Sequence, residues 1–312
     1  MSDSPTKSSR FSRQYWLRLS AFSTVVMAIT FIGLLIHFIN LQVNAFITPY
    51  RSRDIGSPVE VSAVYEDVIL TTLDGLKISG WYIPGTQPYG IVLVHGIDAN
   101  RAALIPEATV LAEAGYHLLM IDLRAHGQSE GDIATYGYLE ALDVQAAVDY
   151  FDTLPNVEQV GALGTSFGGA AVVRAATLDE RIKAVVIESS YSSLSVATED
   201  AFEDLSIFPK WPFAPLLVKL AEQRVGLEIT QVDSARDLAT LHPRAVLIIH
   251  GTDDPLFPLY HAQKMYEAAQ EPKELWIIEG LGHASPVVDR EEEYQARVVT
   301  FFEEAFTSDK NK

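Results

Sequence analysis

Cysteine is absent from the 312 residues. Its absence excludes disulfides, thiolate metal sites and a cysteine nucleophile. Basic residues are also in short supply: 23 Lys and Arg stand against 41 Asp and Glu, for a net charge of −18. An acidic surface repels phosphate backbones, so nucleic acid is not an expected partner, and solubility is the simplest use of the charge. Beyond a short Ser-rich N-terminus there is no low-complexity tract and no internal repeat. A chain of this length can bury most of the surface its unfolded form exposes, so it needs no covalent staple.

One stretch lacks charge altogether. Residues 19–39 read LSAFSTVVMAITFIGLLIHFI, without an Asp, Glu, Lys or Arg. About 20 such residues cross a hydrocarbon core about 30 Å thick. Lys7, Arg10, Arg13 and Arg18 precede the run, Tyr15 and Trp16 fit an interfacial belt, and Arg51 and Arg53 follow it. This pattern predicts a cytoplasmic tail over 1–18, a transmembrane anchor over 19–39, a linker over 40–58, and a main domain over 59–312 on the far side of the membrane. The alternative is secretion after signal cleavage. A signal peptide's apolar core is shorter, about 7–15 residues, although Val43-Asn44-Ala45 would serve as a cleavage site.

Beyond the linker, β-rich runs at 65–71 and 76–83 flank the turn Leu73-Asp74-Gly75 and predict a hairpin. Short apolar runs follow at 90–94, 117–121, 160–163, 182–187, 245–249 and 274–278. They alternate with helical patterns at 105–114, 138–154, 167–178, 261–269 and 290–306. A leading hairpin followed by such alternation predicts a mostly parallel sheet covered on both faces, with its site at the carboxyl ends of the strands. Residues 189–241 interrupt the rhythm for too long to be a simple crossover. They predict a helical lid, with Phe208, Trp211 and Phe213 as candidate substrate contacts, or else as ordinary lid packing.

Gly164-Thr165-Ser166-Phe167-Gly168 fits G-x-S-x-G between a strand and a helix, a turn too sharp for side chains at either glycine. It points to Ser166 as a nucleophile. A serine hydroxyl needs an adjacent base, and His283, in the loop after the last strand, is the candidate. His95, His126 and His250 each begin a His-Gly turn and read as strand-end structure; His117, His242 and His261 carry no partner pattern. The acid that orients the base should lie between Ser166 and His283 and follow a strand. Asp254 is preferred, and its neighbour Asp253 reads as a loop-capping carboxylate. Two backbone N–H groups would form the oxyanion hole, those of Ile97 and Phe167.

With these residues on the page, the chain resembles the α/β-hydrolase superfamily, and within it the branch of monoacylglycerol-lipase-like, serine-aminopeptidase-like and Bem46-like hydrolases. The resemblance covers residues 66–306. It is carried by His95-Gly96, the run from Ile121 through Asp122-Leu123-Arg124-Ala125-His126-Gly127-Gln128 to Ser129, residues 164–168, residues 250–258 and Gly282-His283. It implies an α/β-hydrolase fold, makes Asp122 structural, and aligns the family's catalytic aspartate with Asp254. Ala125 and Phe257 depart from the family's usual Gly and Val. Bem46-like members also carry an N-terminal membrane segment.

The expectation is therefore a membrane-anchored serine hydrolase that cleaves carboxylic esters, small or lipid-like, through an acyl-enzyme, with no cofactor and no metal. The alternatives are a peptidase or amidase, for which Glu188 could bind an amine, and a non-catalytic membrane-tethered scaffold.

Overall fold

A computed structural model describes residues 12–205, 210–283 and 286–309. The chain divides into two units, Met1–Ala45 and Phe46–Lys312. Most of the described part of the first is helix α1, Arg13–Ile47, whose last two residues belong to the second unit. Its 35 residues exceed the 19–39 run because nothing after Ile39 breaks a helix before Thr48 and Pro49. Mean hydropathy reaches 2.3 in its most apolar window, so it is long and apolar enough to cross a membrane. The stretch read as a linker thus begins as helix.

Among the described residues the second unit holds eight strands: β1 (Glu66–Thr71), β2 (Lys77–Ile83), β3 (Tyr89–Val94), β4 (His117–Ile121), β5 (Gln159–Thr165), β6 (Ile182–Glu188), β7 (Ala245–Gly251) and β8 (Lys273–Ile278). They form one sheet in the order β1-β2-β4-β3-β5-β6-β7-β8. β1 and β2 pair antiparallel, as does β2 with β4, and every later pairing is parallel. β3, β4 and β7 are buried along their whole length, whereas edge strand β1 alternates, as a strand with one wet face must.

Helices cover both faces. They are α2 (Ile105–Glu113), α3 (Glu140–Asp152), α4 (Phe167–Leu178), α5 (Leu194–Leu205), α6 (Lys210–Val225), α7 (Ser234–Leu238), α8 (Tyr260–Ala268), α9 (Pro286–Asp289) and α10 (Glu291–Asp309). α3, α4, α7 and α8 contribute apolar side chains to one core layer, and α2, α9 and α10 to the other. Helices α5, α6 and α7 lie in the insertion between β6 and β7. Leu238 and Leu241 are fully buried in the main core, so the chain has rejoined the helical layer by Ser234.

α10 seats against β5 through Phe302, because Gly161 leaves the space: a Cβ there would lie 2.6 Å from the Phe302 ring. Phe302 also stacks on Phe306 and meets Tyr116 edge-on. Truncation to Phe302→Ala should cost about 3–5 kcal/mol. Thermal unfolding of the full chain in detergent checks this, and a melting temperature equal to the parent's would refute it.

Candidate active site

Four segments meet at the carboxyl ends of the parallel strands. Ser166 lies between β5 and α4, residues 95–98 follow β3, Asp254 follows β7 and His283 follows β8. The turn at Ser166 is forced. Its φ and ψ are 55° and −118°, a sparsely populated region for a residue with a side chain. A Cβ on Gly164 would sit 2.3 Å from the Gly168 carbonyl oxygen, and one on Gly168 would sit 2.3 Å from that of Val94. Only glycine lets α4 start so close to β3 and β5. The Ser166 N–H donates to the Glu188 carbonyl at 2.7 Å, fixing the turn to the neighbouring strand.

The structure brings the three predicted side chains together. His283 Nδ1 lies 2.8 Å from Asp254 Oδ2, and His283 Nε2 lies 3.0 Å from Ser166 Oγ. Asp254 also accepts the N–H groups of Leu256 and Phe257, each at 2.9 Å, through its other oxygen. Burial pushes the Asp254 carboxyl up, but the bonds from His283 and these N–H groups hold it below the usual carboxylate range. It is therefore an anion at neutral pH, and the tautomer that fits it carries the proton on Nδ1 of His283. Asp253 is exposed and accepts only the Thr252 hydroxyl, at 2.9 Å.

Gly96 lies against Ser166, a Cβ there being 3.4 Å from the Ser166 Cβ, and Ile97 is the next residue in the chain. Phe167 is the first residue of α4, where the helix leaves its N–H groups without intrahelical acceptors. Among the described residues neither the Ile97 nor the Phe167 N–H has a protein acceptor. Of the lid aromatics, Phe208 lies outside the described residues, Trp211 is 79% exposed, and Phe213 is partly buried.

The His-Gly histidines are struts. His95 accepts the Leu123 N–H at Nε2 (3.1 Å), which leaves Nδ1 to donate to the Gly96 carbonyl at 2.7 Å. His250 pairs with the Phe257 carbonyl at 2.7 Å. Burial holds both imidazoles below their usual titration range, to about 4 for His95. Asp122 binds the backbone N–H and guanidinium of Arg101 and the N–H of Gln128, a structural role as the resemblance implied. His261, which showed no pattern in sequence, is buried with Nε2 2.9 Å from Asp200 and Nδ1 3.0 Å from the Ser192 hydroxyl. This contact joins α8 to the insertion. Asp200 and Ser192 lie 61 and 69 positions before His261, too distant for any local signal to announce it.

Residues 91–297 match the group described as the Alpha/beta hydrolase family. The chain belongs to that family. YfhR of Escherichia coli K12 is 28% identical over 267 residues, covering 81% of this chain and 84% of YfhR. YqkD of Bacillus subtilis is 24% identical over 298 residues, covering 91% and 96%. Among solved structures, the Pyrococcus furiosus esterase Pf2001 superposes with a TM-score of 0.70 at 26% identity, covering 83% of this chain and 97% of that one.

Beneath the elbow of this hydrolase lies a pair of acids with no place in a triad. Glu188, at the end of β6, accepts the Thr165 hydroxyl at 3.0 Å and the Tyr294 hydroxyl. Fully buried and so engaged, it is not free to bind a substrate amine. Glu107, on α2, is 1% exposed, and its Oε2 has no partner among the described residues. Burial pushes both carboxyls up, and the charge of Glu188 raises Glu107 further. A carboxyl raised in this way adds stability that is complete below its ordinary titration and lost as pH climbs through the raised value. Between about pH 5 and about pH 8 the parent's melting temperature should therefore fall more steeply than that of Glu107→Gln, which should be the more stable at the upper end. Parallel slopes in thermal unfolding would exclude the charged pair as a source of strain.

Proposed function

We propose that this chain is a serine hydrolase of carboxylic esters, working through an acyl-enzyme and tethered by α1 as a single-pass anchor. The observation that carries the reading is the unbroken run of hydrogen bonds from Asp254 through His283 to Ser166, 2.8 and 3.0 Å long. In the first step the Ser166 hydroxyl donates its proton to His283 Nε2 while its oxygen attacks the ester carbonyl. Asp254 keeps the imidazole oriented and stabilises the cation that forms. The N–H groups of Ile97 and Phe167 receive the oxyanion, each contributing about 3 kcal/mol to lowering the barrier. His283 then returns the proton to the leaving alcohol. In the second step it draws a proton from water, which releases the acid and restores Ser166.

Ester rather than amide substrates are favoured by Glu188, whose carboxylate is closed off by Thr165 and Tyr294. The likeness to an esterase at 26% identity points the same way. An exposed Trp211 on the insertion suits an acyl chain or lipid-like ester. The basic residues before the apolar run favour a cytoplasmic N-terminus and an extracytoplasmic catalytic domain. Secretion after cleavage beyond Ala45 is the competing topology.

Labelling with a fluorophosphonate probe tests the nucleophile: the parent should label and Ser166→Ala should not. Equal labelling would sink the proposal. Hydrolysis of a short-chain p-nitrophenyl ester tests the acid. Asp254→Asn should lower kcat by about ten thousand-fold, and Asp253→Asn by no more than about threefold. The reverse ranking would move the role to Asp253.

A further inference from the structure

The segment that follows the apolar run of α1 is held against the loops around the site. Phe46, the first residue of the second unit, stacks on Tyr136 with ring centroids 4.5 Å apart. The Tyr136 hydroxyl donates to the Phe46 carbonyl at 2.6 Å, and the Ala134 N–H donates to the Ile47 carbonyl at 2.8 Å. Further on, the Tyr50 N–H donates to Asp98 Oδ1 at 2.6 Å. The Arg51 guanidinium donates to the Ala125 carbonyl at 3.0 Å and also to that of Gly131.

Three of these targets share a property. Among the described residues, five that are not glycine have positive φ: Asp98, Ala125, Tyr136, Ser166 and Ser189. The arm grips the first three. Such backbone is sparsely populated and persists where its surroundings over-determine it. Each grip also leads to the oxyanion donors. Asp98 directly follows Ile97. The Tyr136 ring meets Phe167 edge-on at 5.7 Å. His126, next to Ala125, packs 5.6 Å from Phe167 and 5.1 Å from His95.

We infer that residues 46–51 form a positioning arm that holds the Ile97 and Phe167 amides where the oxyanion develops. The inference rests on the hydrolase reading above. Oxyanion donors act because they are aimed before the reaction begins, and a displacement of about 1 Å can cost about a hundredfold in rate. Tyr136 and Asp98 are positioning residues in this scheme; they act through the donors and not on the substrate. A chain cut between Ala45 and Phe46 would keep the whole arm, and one cut after Arg51 would lose it. Anchored and released forms are both competent on these terms.

The experiment uses the full chain in detergent with a short-chain p-nitrophenyl ester. Active sites are counted by fluorophosphonate titration, so that misfolded molecules drop out. Phe46→Ala and Asp98→Ala should each lower kcat per titrated site by about tenfold to a hundredfold, with KM within about twofold of the parent. Asp98→Asn keeps an acceptor oxygen and tolerates positive φ, so it should recover most of the loss. Arg53→Ala, at an exposed neighbouring position, should track the parent. Parent kcat per site in Phe46→Ala and Asp98→Ala overturns the inference, as does an equal loss in Asp98→Ala and Asp98→Asn. A parent without turnover that depends on Ser166 would remove the hydrolase reading itself, a failure distinct from turnover that ignores the arm.

Discussion

The backbone at Ser166 cannot relax to ordinary dihedrals without lifting α4 off the sheet, and most of the site depends on that contact. Gly164 and Gly168 let the first turn of the helix lie against β3 and β5 at distances no side chain would permit. The Ser166 N–H is tied to the Glu188 carbonyl on β6, so three adjacent strands share in holding one strained residue. The hydroxyl is thereby held at the rim, and the amide of Phe167 is left free by its place at the helix start. One local distortion places both the Ser166 hydroxyl and the Phe167 amide at the rim. Its energetic cost is offset by the burial of α4 in the core layer on one face of the sheet.

Around this turn the chain uses buried, neutral imidazoles as hydrogen-bonding struts. His95 joins the loop after β3 to the one after β4, His250 holds the loop that presents Asp254, and His261 joins α8 to the insertion. Burial depresses the titration of each, which suits a donor–acceptor strut. His283 differs in its surroundings. Its side chain is 19% exposed, and it has a buried carboxylate on one nitrogen and a hydroxyl on the other. Environment, not residue type, separates the one of these imidazoles that bridges a carboxylate and the Ser166 hydroxyl from its neighbours.

Much of the fold was legible because its elements are locally encoded. The apolar runs after the hairpin became β3 to β8 with ends shifted by no more than two residues, and the helix expected over 167–178 begins and ends where predicted. Reading failed where function depended on distant partners. The insertion looked like lid up to residue 241, but the burial of Leu238 and Leu241 depends on the cleft between α4 and α8, which no local pattern describes. Glu188 stood at a strand end and suggested an amine-binding group, but two hydroxyls, one of them 106 residues away on α10, close it off. The stretch after the apolar run read as a linker because its composition is plain. Its contacts are with Asp98, Ala125, Gly131 and Tyr136, far along the chain.

By itself the amino-acid sequence determined the alternation of strands and helices, the apolar helix ahead of them, and the glycine-flanked turn that singles out Ser166. Periodicity and turn chemistry are properties of neighbours in the chain, and neighbours suffice to specify them. Only the tertiary structure decided that Asp254 and not its neighbour faces His283, that Gly96 lies against Ser166, and that Glu188 is closed off by two hydroxyls. Those outcomes turn on contacts of 2.8 to 3.4 Å between segments dozens of residues apart. Such distances are set by the order of strands in the sheet and the packing of both helical layers against it.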